Sequence, residues 1–279
     1  MRPIAEQKIL VTGATDGLGK GVATALARAG ATLLLHGRDE ARGAATMHEI
    51  REATGNDALS YYNADFASLA AVRAMADRIL DEHEELHTLV NNAGIGSTLP
   101  GDGERMESDD GYELRFQVNY LAAFLLTQRL VPLLFKSAPA RIVNVSSLGQ
   151  MPIDFDDVML EQRYSGVRAY CQSKLADVML TFDLADEMPR RAVTVNCLHP
   201  ASFMPTKIVL AARGTASSTL EEGVDATMHL IADPELDGVT GRYFTAGHGS
   251  RANPQAYDED ARRQLRELSE RLTEQAQQA

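Results

Sequence analysis

Short apolar runs alternate along the chain with longer segments in which apolar residues recur at helical spacing. Runs of about four to eight apolar residues are typical of buried strands, whereas a period of about 3.6 residues is typical of helices that pack one face. The pattern predicts seven strands, at 8–13, 32–37, 58–65, 87–94, 141–147, 192–200 and 241–246. Helices are predicted between them, the first ending at Gly30 and the others at 39–55, 68–83, 111–135 and 169–188.

This alternation of strands and helices favours a parallel sheet with helices on both faces, and right-handed crossovers make such a sheet doubly wound. Neither an internal repeat nor a low-complexity linker divides the 279 residues, so 1–279 is predicted to be a single α/β domain with about seven strands. Long irregular stretches at 95–110, 148–168 and 201–222 are expected to be functional or mobile. Residues 258–279 are expected to form a polar helical tail with one leucine stripe.

Composition narrows the classes of partner. The chain has 39 acidic and 27 basic residues, and this excess of acid disfavours nucleic acid because phosphate backbones recruit clustered Lys and Arg. The two cysteines, Cys171 and Cys197, are too few for a disulfide framework, so we expect a reducing, cytoplasmic location. The polar N-terminal residues MRPIAEQ predict neither a signal peptide nor a membrane anchor. The most apolar segment, 121–135, is interrupted by Gln128 and Arg129, which predicts a buried helix.

A glycine-rich turn, TGATDGLG at 12–19, follows the first strand. In such a turn Gly13 permits the tight bend, Gly17 lets the backbone approach a pyrophosphate, and Gly19 allows a helix to pack closely on a strand. The free N–H groups and positive dipole end of the following helix also favour phosphate. Glycines close ordinary turns too, but this turn lies between a strand and a helix at the start of a βαβ unit. That context predicts a dinucleotide-binding site.

Two tyrosines, Tyr164 and Tyr170, are each followed four residues later by a cation, Arg168 or Lys174. Residues at that spacing share one face of a helix, so either pair could exchange protons. Gly166 lies within the first pair and disfavours the helix that would align it. Arg is also effectively always charged and offers no tunable proton. The pattern therefore favours Tyr170 and Lys174 as the pair that carries chemistry.

The spacing T-G-x-x-x-G-x-G resembles the short-chain dehydrogenase/reductase family, since the common dinucleotide fingerprint has one residue between its first two glycines. Further matches follow in the family's order, namely NNAG at 91–94, Asn119, VNVSS at 143–147, Tyr170 with Lys174, and LHP at 198–200. The resemblance covers about residues 8–206 and implies a Rossmann fold. The run YCQSKLA and the long gap before Tyr170 are similar to retinol dehydrogenases and related carbonyl reductases.

The resemblance implies a role for each catalytic candidate. Tyr170 would be the acid/base, and Lys174 would lower its pKa and hold the nicotinamide ribose. Ser147 would donate a hydrogen bond to the substrate oxygen, and Asn119 would hold a water in a proton relay, roles that a hydroxyl and a carboxamide can fill. Two alternatives stay open. Ser147 could merely cap a turn, with Ser146 as the rival serine, and Asn119 could be a buried residue that bends its helix.

The end of the second strand selects the dinucleotide in this family, because an acid there binds the ribose 2′-hydroxyl and repels a 2′-phosphate. This chain has Gly37 and then Arg38. A guanidinium can bind phosphate with two hydrogen bonds, so the resemblance implies NADP, with NAD left open. Alternatively, Arg38 is only a solvated residue at a helix start. Asp16 stands where the family commonly has Arg, Lys or Ser, and in one orientation it would repel the same phosphate.

The third strand ends at Asp65, which the resemblance places against the adenine amino group. An alternative is a helix N-cap, although Ser68 could serve as that cap instead. No metal site is predicted, since His199 has no second ligand at metal spacing. The dinucleotide-binding residues that the resemblance implies are Gly13, Thr15, Asp16, Gly17, Leu18, Gly19, Arg38, Asp65, Phe66, Asn91, Ala93, Gly94, Tyr170, Lys174 and Pro200.

The gap between Ser147 and Tyr170 is longer than in most of the family, so 148–168 is expected to be an inserted loop over the substrate mouth. A plain surface excursion is the alternative. Tyr164 lies in this loop and is expected to affect at most substrate affinity, and 201–222 is expected to be the substrate loop. A lipophilic pocket is favoured by the apolar residues of these stretches, namely Ile95, Leu99, Met151, Ile153, Phe155, Phe203, Met204 and Leu210.

The sequence thus predicts an NADP-dependent carbonyl reductase or alcohol dehydrogenase that acts on a small, lipophilic primary or secondary alcohol or carbonyl compound. Two alternatives are a dinucleotide-binding regulator without catalysis, and an enoyl reductase or epimerase on the same fold. In many family members the helices equivalent to 111–135 and 169–188 form four-helix interfaces. A homodimer or homotetramer is therefore one expectation, and coverage of a neighbouring surface by the tail is the other.

Overall fold

An eight-stranded sheet runs through the centre of the molecule. The computed structural model describes residues 1–189 and 192–276, apart from the side chain of Asp102. The strands are β1 (Lys8–Val11), β2 (Thr32–Gly37), β3 (Leu59–Asn63), β4 (Thr88–Asn91), β5 (Ala140–Val145), β6 (Val193–His199), β7 (Arg242–Thr245) and β8 (His248–Ser250). Their order is β3-β2-β1-β4-β5-β6-β7-β8, and all neighbours are parallel except β7 and β8.

The prediction of about seven strands missed β8. Its three residues, HGS, are all exposed and carry no apolar alternation, so no periodicity marks them as a strand. The strand instead forms by hairpin pairing with β7, where Thr245 lies opposite His248. The other seven strands lie within or one residue beside their predicted ranges. β5 and β6 are buried at every position, as expected of strands that are covered on both faces.

Helices cover both faces of the sheet. They are α1 (Gly17–Arg28), α2 (Glu40–Thr54), α3 (Leu69–Glu82), α4 (Leu114–Phe116), α5 (Ala122–Lys136), α6 (Gly166–Glu187), α7 (Lys207–Arg213), α8 (Leu220–Ala232) and α9 (Glu259–Gln275). One apolar core lies between the sheet and α3, α5, α6 and α9, and the other lies between the sheet and α1, α2 and α8. This arrangement confirms the predicted doubly wound α/β fold.

The long apolar helix is continuous from α4 through a π-helical turn, Gln117–Leu121, into α5. By length and composition alone the combined helix, Leu114–Lys136, could cross a membrane. However, 72% of its most apolar window is buried inside the protein. It therefore serves as a core helix on one face of the sheet, as the sequence predicted.

The C-terminal tail packs on α6 as helix α9. Its leucine stripe faces the core, and an ion pair joins Arg262 Nε on α9 to Asp183 Oδ1 on α6 at 3.1 Å. The predicted tail, 258–279, is thus helical over Glu259–Gln275, and residues 277–279 lie outside the described residues.

The carboxyl ends of β1, β4, β5 and β6 lie side by side, because these strands are parallel neighbours. The chain order reverses between β1 and β4, and open α/β sheets bind their ligands at such a switch point. The segments that leave the four strand ends are 12–16, 92–113, 146–165 and 200–206. The fold thereby brings the predicted glycine turn, inserted loop and substrate loop to one edge of the sheet.

Candidate active site

The glycine turn makes a cradle of bare backbone at the N-terminus of α1. Gly13 has a φ of +65°, and a Cβ atom there would lie 2.8 Å from Ala93 Cα. A Cβ atom on Gly19 would lie 2.2 Å from the carbonyl oxygen of Gly13. No side chain fits at either position, so the backbone of the turn meets the first turn of α1 without intervening side chains. This geometry suits the pyrophosphate of a dinucleotide.

Three side chains outside the predicted set hold this cradle in place. Thr12 Oγ1 accepts hydrogen bonds from the N–H groups of Asn92, at 2.9 Å, and Ala93, at 3.0 Å. Asn92 Nδ2 donates to the carbonyl oxygen of Thr12 at 2.8 Å. His36 Nδ1 accepts from the N–H of Gly13 at 3.2 Å, and burial lowers the pKa of His36 to about 4, so the ring stays neutral. Thr12 and Asn92 belong to predicted motifs, but their role in joining the glycine turn to the segment after β4 depends on contacts between distant parts of the chain.

We expect Gly19→Ala to abolish binding of NADPH, because the new methyl group would overlap the carbonyl oxygen of Gly13. Fluorescence titration with NADPH measures this loss, and circular dichroism checks that the variant folds. Gly249→Ala is the matched control, since no atom lies within 4 Å of a Cβ at that exposed position. NADPH affinity equal to that of the parent protein in Gly19→Ala would contradict the assignment of the turn.

Charged side chains surround the end of the cradle near β2. Arg38 is exposed and makes no hydrogen bond or ion pair with the residues that the structure describes. Asp16 is the N-cap of α1 and also pairs with Arg42 Nη2 at 3.1 Å and with Lys207 Nζ at 2.6 Å. Burial raises the pKa of Asp16, but hydrogen bonds from Lys207 and the N–H of Gly17 outweigh it and keep that pKa low. Asp16 is thus an ionised carboxylate whose charge two cations offset.

Asp65 is not the N-cap of α3. That cap is Ser68, whose Oγ accepts from the N–H of Ala71, whereas Asp65 Oδ1 accepts from the N–H of Ala67 at 2.9 Å. The N-cap alternative is therefore wrong, and Asp65 is an exposed residue just after β3, whose contact with the adenine stays a prediction. The ring of Phe66 stacks on His36 with 4.1 Å between the ring centroids.

Of the other residues predicted to bind the dinucleotide, some are buried and some lie at the carboxyl ends of the strands. Asn91 Nδ2 donates to Thr127 Oγ1 at 3.0 Å and to Asn144 Oδ1 at 2.8 Å, so its side chain is engaged in a buried network. Its Oδ1 is buried without a hydrogen-bond partner among the described residues. Leu18 is buried in the core between α1 and the sheet. Thr15, Ala93, Gly94 and Pro200 lie at the carboxyl ends of the strands, along the same edge as the cradle.

Tyr170 and Lys174 share one face of α6, which begins at Gly166 with Ser165 as its N-cap. Lys174 is buried, and its Nζ donates to the carbonyl oxygen of Val145 and to Asp177 Oδ2, both at 2.9 Å. Burial alone would lower the pKa of Lys174, but the charges of Asp177 and Tyr170 outweigh it and raise that pKa. An ammonium ion thus lies beneath the end of β5, within reach of the tyrosine.

Ser147 faces the same space as Tyr170. A Cβ atom on Gly149 would lie 3.5 Å from Ser147 Oγ and 3.7 Å from Tyr170 Cε1. Ser147 Oγ accepts from the N–H of Gly149 at 3.0 Å, which caps a turn yet leaves the hydroxyl proton free to donate. Ser146 is excluded as the rival serine, because its Oγ is buried and donates to the carbonyl oxygen of Lys174 at 2.7 Å.

Asn119 lies in the π-helical turn between α4 and α5. Its Oδ1 accepts from the N–H of Ile95 at 2.7 Å, and its Nδ2 donates to the carbonyl oxygen of Ile95 and to Ser173 Oγ. A Cβ atom on Gly94 would lie 3.2 Å from Asn119 Oδ1 and 3.7 Å from Lys174 Nζ. The structure therefore brings Asn119 and Lys174 to one place without a direct hydrogen bond between them.

Tyr164 lies in the inserted loop, as expected, but its hydroxyl bonds to residues at the start of the long helix. Its hydroxyl accepts from Arg115 Nη1 at 2.7 Å and donates to Glu113 Oε1 at 3.0 Å. Arg115 is fully buried and also donates to backbone carbonyl groups of the loop after β4, at Gly96, Ser97, Pro100 and Glu104. Tyr164 thus anchors the inserted loop to the long helix.

The expected apolar pocket residues differ in exposure, and two of them, Ile95 and Phe155, are half-buried. Ile153 and Met204 are buried in the two cores and line no open surface. Large apolar side chains that are exposed on the loops around the site include Leu99, Leu148, Met151, Val167, Phe203 and Leu210. Helix α7 lies over the site, since Cβ atoms on Gly17 and Gly96 would approach the side chains of Thr206 and Ile208.

A family model described as short chain dehydrogenase matches residues 7–215. The chain belongs to this family. Human retinol dehydrogenase 13 is 36% identical over 96% of this chain and 85% of its own length. Human retinol dehydrogenase 14 is also 36% identical, over 94% of this chain and 84% of its own length. As a short-chain dehydrogenase, the chain is an oxidoreductase that transfers a hydride between a nicotinamide dinucleotide and an alcohol or carbonyl group.

Solved structures of similar fold span most of the chain. A protein from Mycobacterium paratuberculosis superposes with a TM-score of 0.77 at 26% identity, covering 98% of this chain and 96% of its own. A short-chain dehydrogenase from Escherichia coli CFT073, solved as a complex with NADPH, superposes with a TM-score of 0.70 at 31% identity. That superposition covers 86% of this short-chain dehydrogenase and 96% of the neighbour.

Proposed function

We propose that the chain is an NADP-dependent carbonyl reductase or alcohol dehydrogenase that acts on lipophilic substrates. One observation carries the proposal, namely that the Tyr170 ring and the Ser147 hydroxyl line one small space while Lys174 is buried on the same helix face as Tyr170. A carbonyl oxygen in that space would meet a proton donor, a hydrogen-bond donor and a nearby positive charge.

These side chains supply the proton chemistry of the reaction. In the direction of reduction, the Tyr170 hydroxyl donates its proton to the carbonyl oxygen, and Ser147 donates a hydrogen bond to the same oxygen. When bound, NADPH supplies the hydride. The Lys174 ammonium stabilises the Tyr170 phenolate, and a unit charge ~4 Å away at an effective dielectric of ~20 contributes roughly 4 kcal/mol. Asn119 adjoins Lys174 across Gly94, and because both of its Nδ2 hydrogens are engaged, its Oδ1 is the atom that would hold a relay water.

The dinucleotide would lie across the switch point. The backbone cradle of Gly13, Gly17 and Gly19 would hold the pyrophosphate, and Lys174 the nicotinamide ribose. Arg38, which has no partner among the described residues, is available for the 2′-phosphate. Arg42 and Lys207 offset the charge of Asp16, and the complex of the Escherichia coli neighbour with NADPH also supports this choice of cofactor.

We expect the unaltered protein to prefer NADPH to NADH, and Arg38→Leu to lower that preference about 10–100-fold, since hydrogen bonds to a charged group contribute roughly 1.5–3 kcal/mol. The measurement is the ratio of kcat/KM for the two cofactors. Arg51→Leu is the matched control, because Arg51 lies on α2 and pairs at the surface with Asp57. Preference of the unaltered protein for NADH would defeat the assignment.

Lipophilic substrates are favoured by the exposed apolar side chains around the site and by the similarity to retinol dehydrogenases. NADPH oxidation with retinal, shorter aldehydes, cyclic ketones and enones tests the class. Faster turnover with retinal and other long apolar aldehydes would support the proposal. Tight NADPH binding without turnover of any of these compounds would instead favour the non-catalytic regulator.

The cellular location and oligomeric state stay predictions, namely a cytoplasmic location and a homodimer or homotetramer. Because α9 packs on α6 within the chain, association must leave that helix in place or use another face. Light scattering of the purified full chain measures the mass in solution, and deletion of α9 tests whether it limits association.

A further inference from the structure

Asp177 is a buried carboxylate that the proposed mechanism does not use. It lies on α6 three residues after Lys174, and the side chains of the two residues are only 6% and 8% exposed. Asp177 Oδ2 accepts a hydrogen bond from Lys174 Nζ at 2.9 Å. Ion pairs with this degree of burial cost desolvation energy on both sides, so this one is weak evidence for a purely stabilising role.

The contact limits what Lys174 can do. An ammonium has three N–H donors, and Asp177 and the carbonyl oxygen of Val145 accept two of them. These two contacts fix Nζ beneath the end of β5 and leave one donor for the space beside Gly94. Asp177 thereby restricts the direction in which the proposed catalytic lysine can reach.

The carboxylate also changes the charge near Tyr170. Tyr170 and Asp177 are seven residues apart, which is two helical turns, or about 10 Å along α6. A negative charge at that distance opposes the effect of the Lys174 ammonium on the tyrosine hydroxyl. The positive charge of Lys174 near Tyr170 is therefore partly offset by the negative charge of Asp177.

Other titratable groups that face Asp177 are neutral at pH 7. Tyr120 approaches from the π-helical turn and Cys197 from β6, and burial raises the pKa of each above its ordinary value. Burial also raises the pKa of Asp177, to about 6, against the opposite pull of Lys174. The 2.9 Å contact with the Lys174 ammonium favours the ionised form of Asp177, and among these groups only Lys174 balances its charge.

We propose that Asp177 is a positioning residue, whose carboxylate holds the Lys174 ammonium in place and limits the positive charge that Tyr170 experiences. The inference rests on the proposed roles of Tyr170 and Lys174.

The test is an ultraviolet difference titration of the Tyr170 phenolate in the protein saturated with NADP⁺, with Tyr170→Phe subtracted to isolate its signal. In Asp177→Asn the midpoint is expected to fall by on the order of one pH unit, for a unit charge about 10 Å away at an effective dielectric near 20. The acidic limb of kcat/KM for alcohol oxidation should move in the same direction. A merely structural role would not shift either midpoint.

Asp183→Asn is the matched control, since it removes the same charge from α6 at a residue that pairs with Arg262. In this variant the titration midpoint of Tyr170 should stay near that of the parent protein. An unchanged or raised midpoint in Asp177→Asn would overturn the proposal. If that variant fails to fold, Lys174→Met alone and with Asp177→Asn provides the comparison, and the double variant should again titrate at lower pH.

Activity and titration of the variants distinguish the proposed catalytic role of Tyr170 from the role of Asp177. Full turnover in Tyr170→Phe would defeat the proposed catalytic role, whatever the titration of the tyrosine shows. Loss of turnover in Tyr170→Phe combined with an unmoved midpoint in Asp177→Asn would retain the enzyme and reject the role of Asp177.

Discussion

Replacing Tyr170 with phenylalanine is expected to lower kcat by about 10²–10⁴-fold, the usual contribution of a positioned general acid. The substitution removes the hydroxyl that would protonate the carbonyl oxygen, while the ring that adjoins Gly149 remains. Affinity for NADPH should change little, because the glycine cradle and Lys174 are retained. Steady-state kinetics with the best substrate of the panel and fluorescence titration with NADPH measure the two quantities.

Tyr164→Phe is the matched control, because it removes the same atom from the other tyrosine of the segment. Its hydroxyl bonds to Arg115 and Glu113, so this variant should keep its kcat and lose about 1–3 kcal/mol of stability. Comparable loss of kcat in both variants would contradict the separation of the two tyrosines. Retained turnover in Tyr170→Phe would exclude it as the acid.

The common helix face of Tyr170 and Lys174 was predictable because its geometry is local. Tyr170 and Lys174 are four residues apart, and any helix through them places their side chains on one face. The glycine turn is local in the same way, since Gly13 and Gly19 lie between a strand and the helix that it precedes. Interactions of this range appear as spacings in the sequence, and the order of the motifs then indicated the family.

The parts that the sequence did not predict depend on distant partners. Arg115 lies in a segment that the sequence predicts as helix, and its acceptors come from the loop after β4 and from the inserted loop. From the sequence alone, Asp177 is one polar position of an amphipathic helix. Its role depends on β5, whose Val145 carbonyl oxygen holds the same Lys174 ammonium. The π-helical turn at Asn119 also leaves no signal in the sequence. The helix around it is buried on nearly every side, so it has no single apolar face whose register an extra residue would shift.

Replacing Arg115 with methionine is expected to lower the free energy of unfolding by about 3–5 kcal/mol, the cost of breaking a buried ion pair from one side. Both Arg115 and Glu113 are almost fully buried, with Nη1 and Oε1 3.7 Å apart. The variant would leave the Glu113 carboxylate without its cation, and several carbonyl groups of the loop after β4 would lose their hydrogen-bond donor. Urea unfolding followed by far-ultraviolet circular dichroism measures the change.

Two further variants separate the buried charge from the loss of an arginine as such. Arg263→Met removes an exposed arginine that pairs with Asp260 on α9, and should cost less than about 1 kcal/mol. Arg115→Met combined with Glu113→Gln should recover part of the lost stability, because the double variant no longer buries an unpaired carboxylate. If Arg115→Met were as stable as the parent protein, the proposed stabilising role of Arg115 would be wrong. A double variant no more stable than the single would place the cost in the loop carbonyl groups and not in the buried charge.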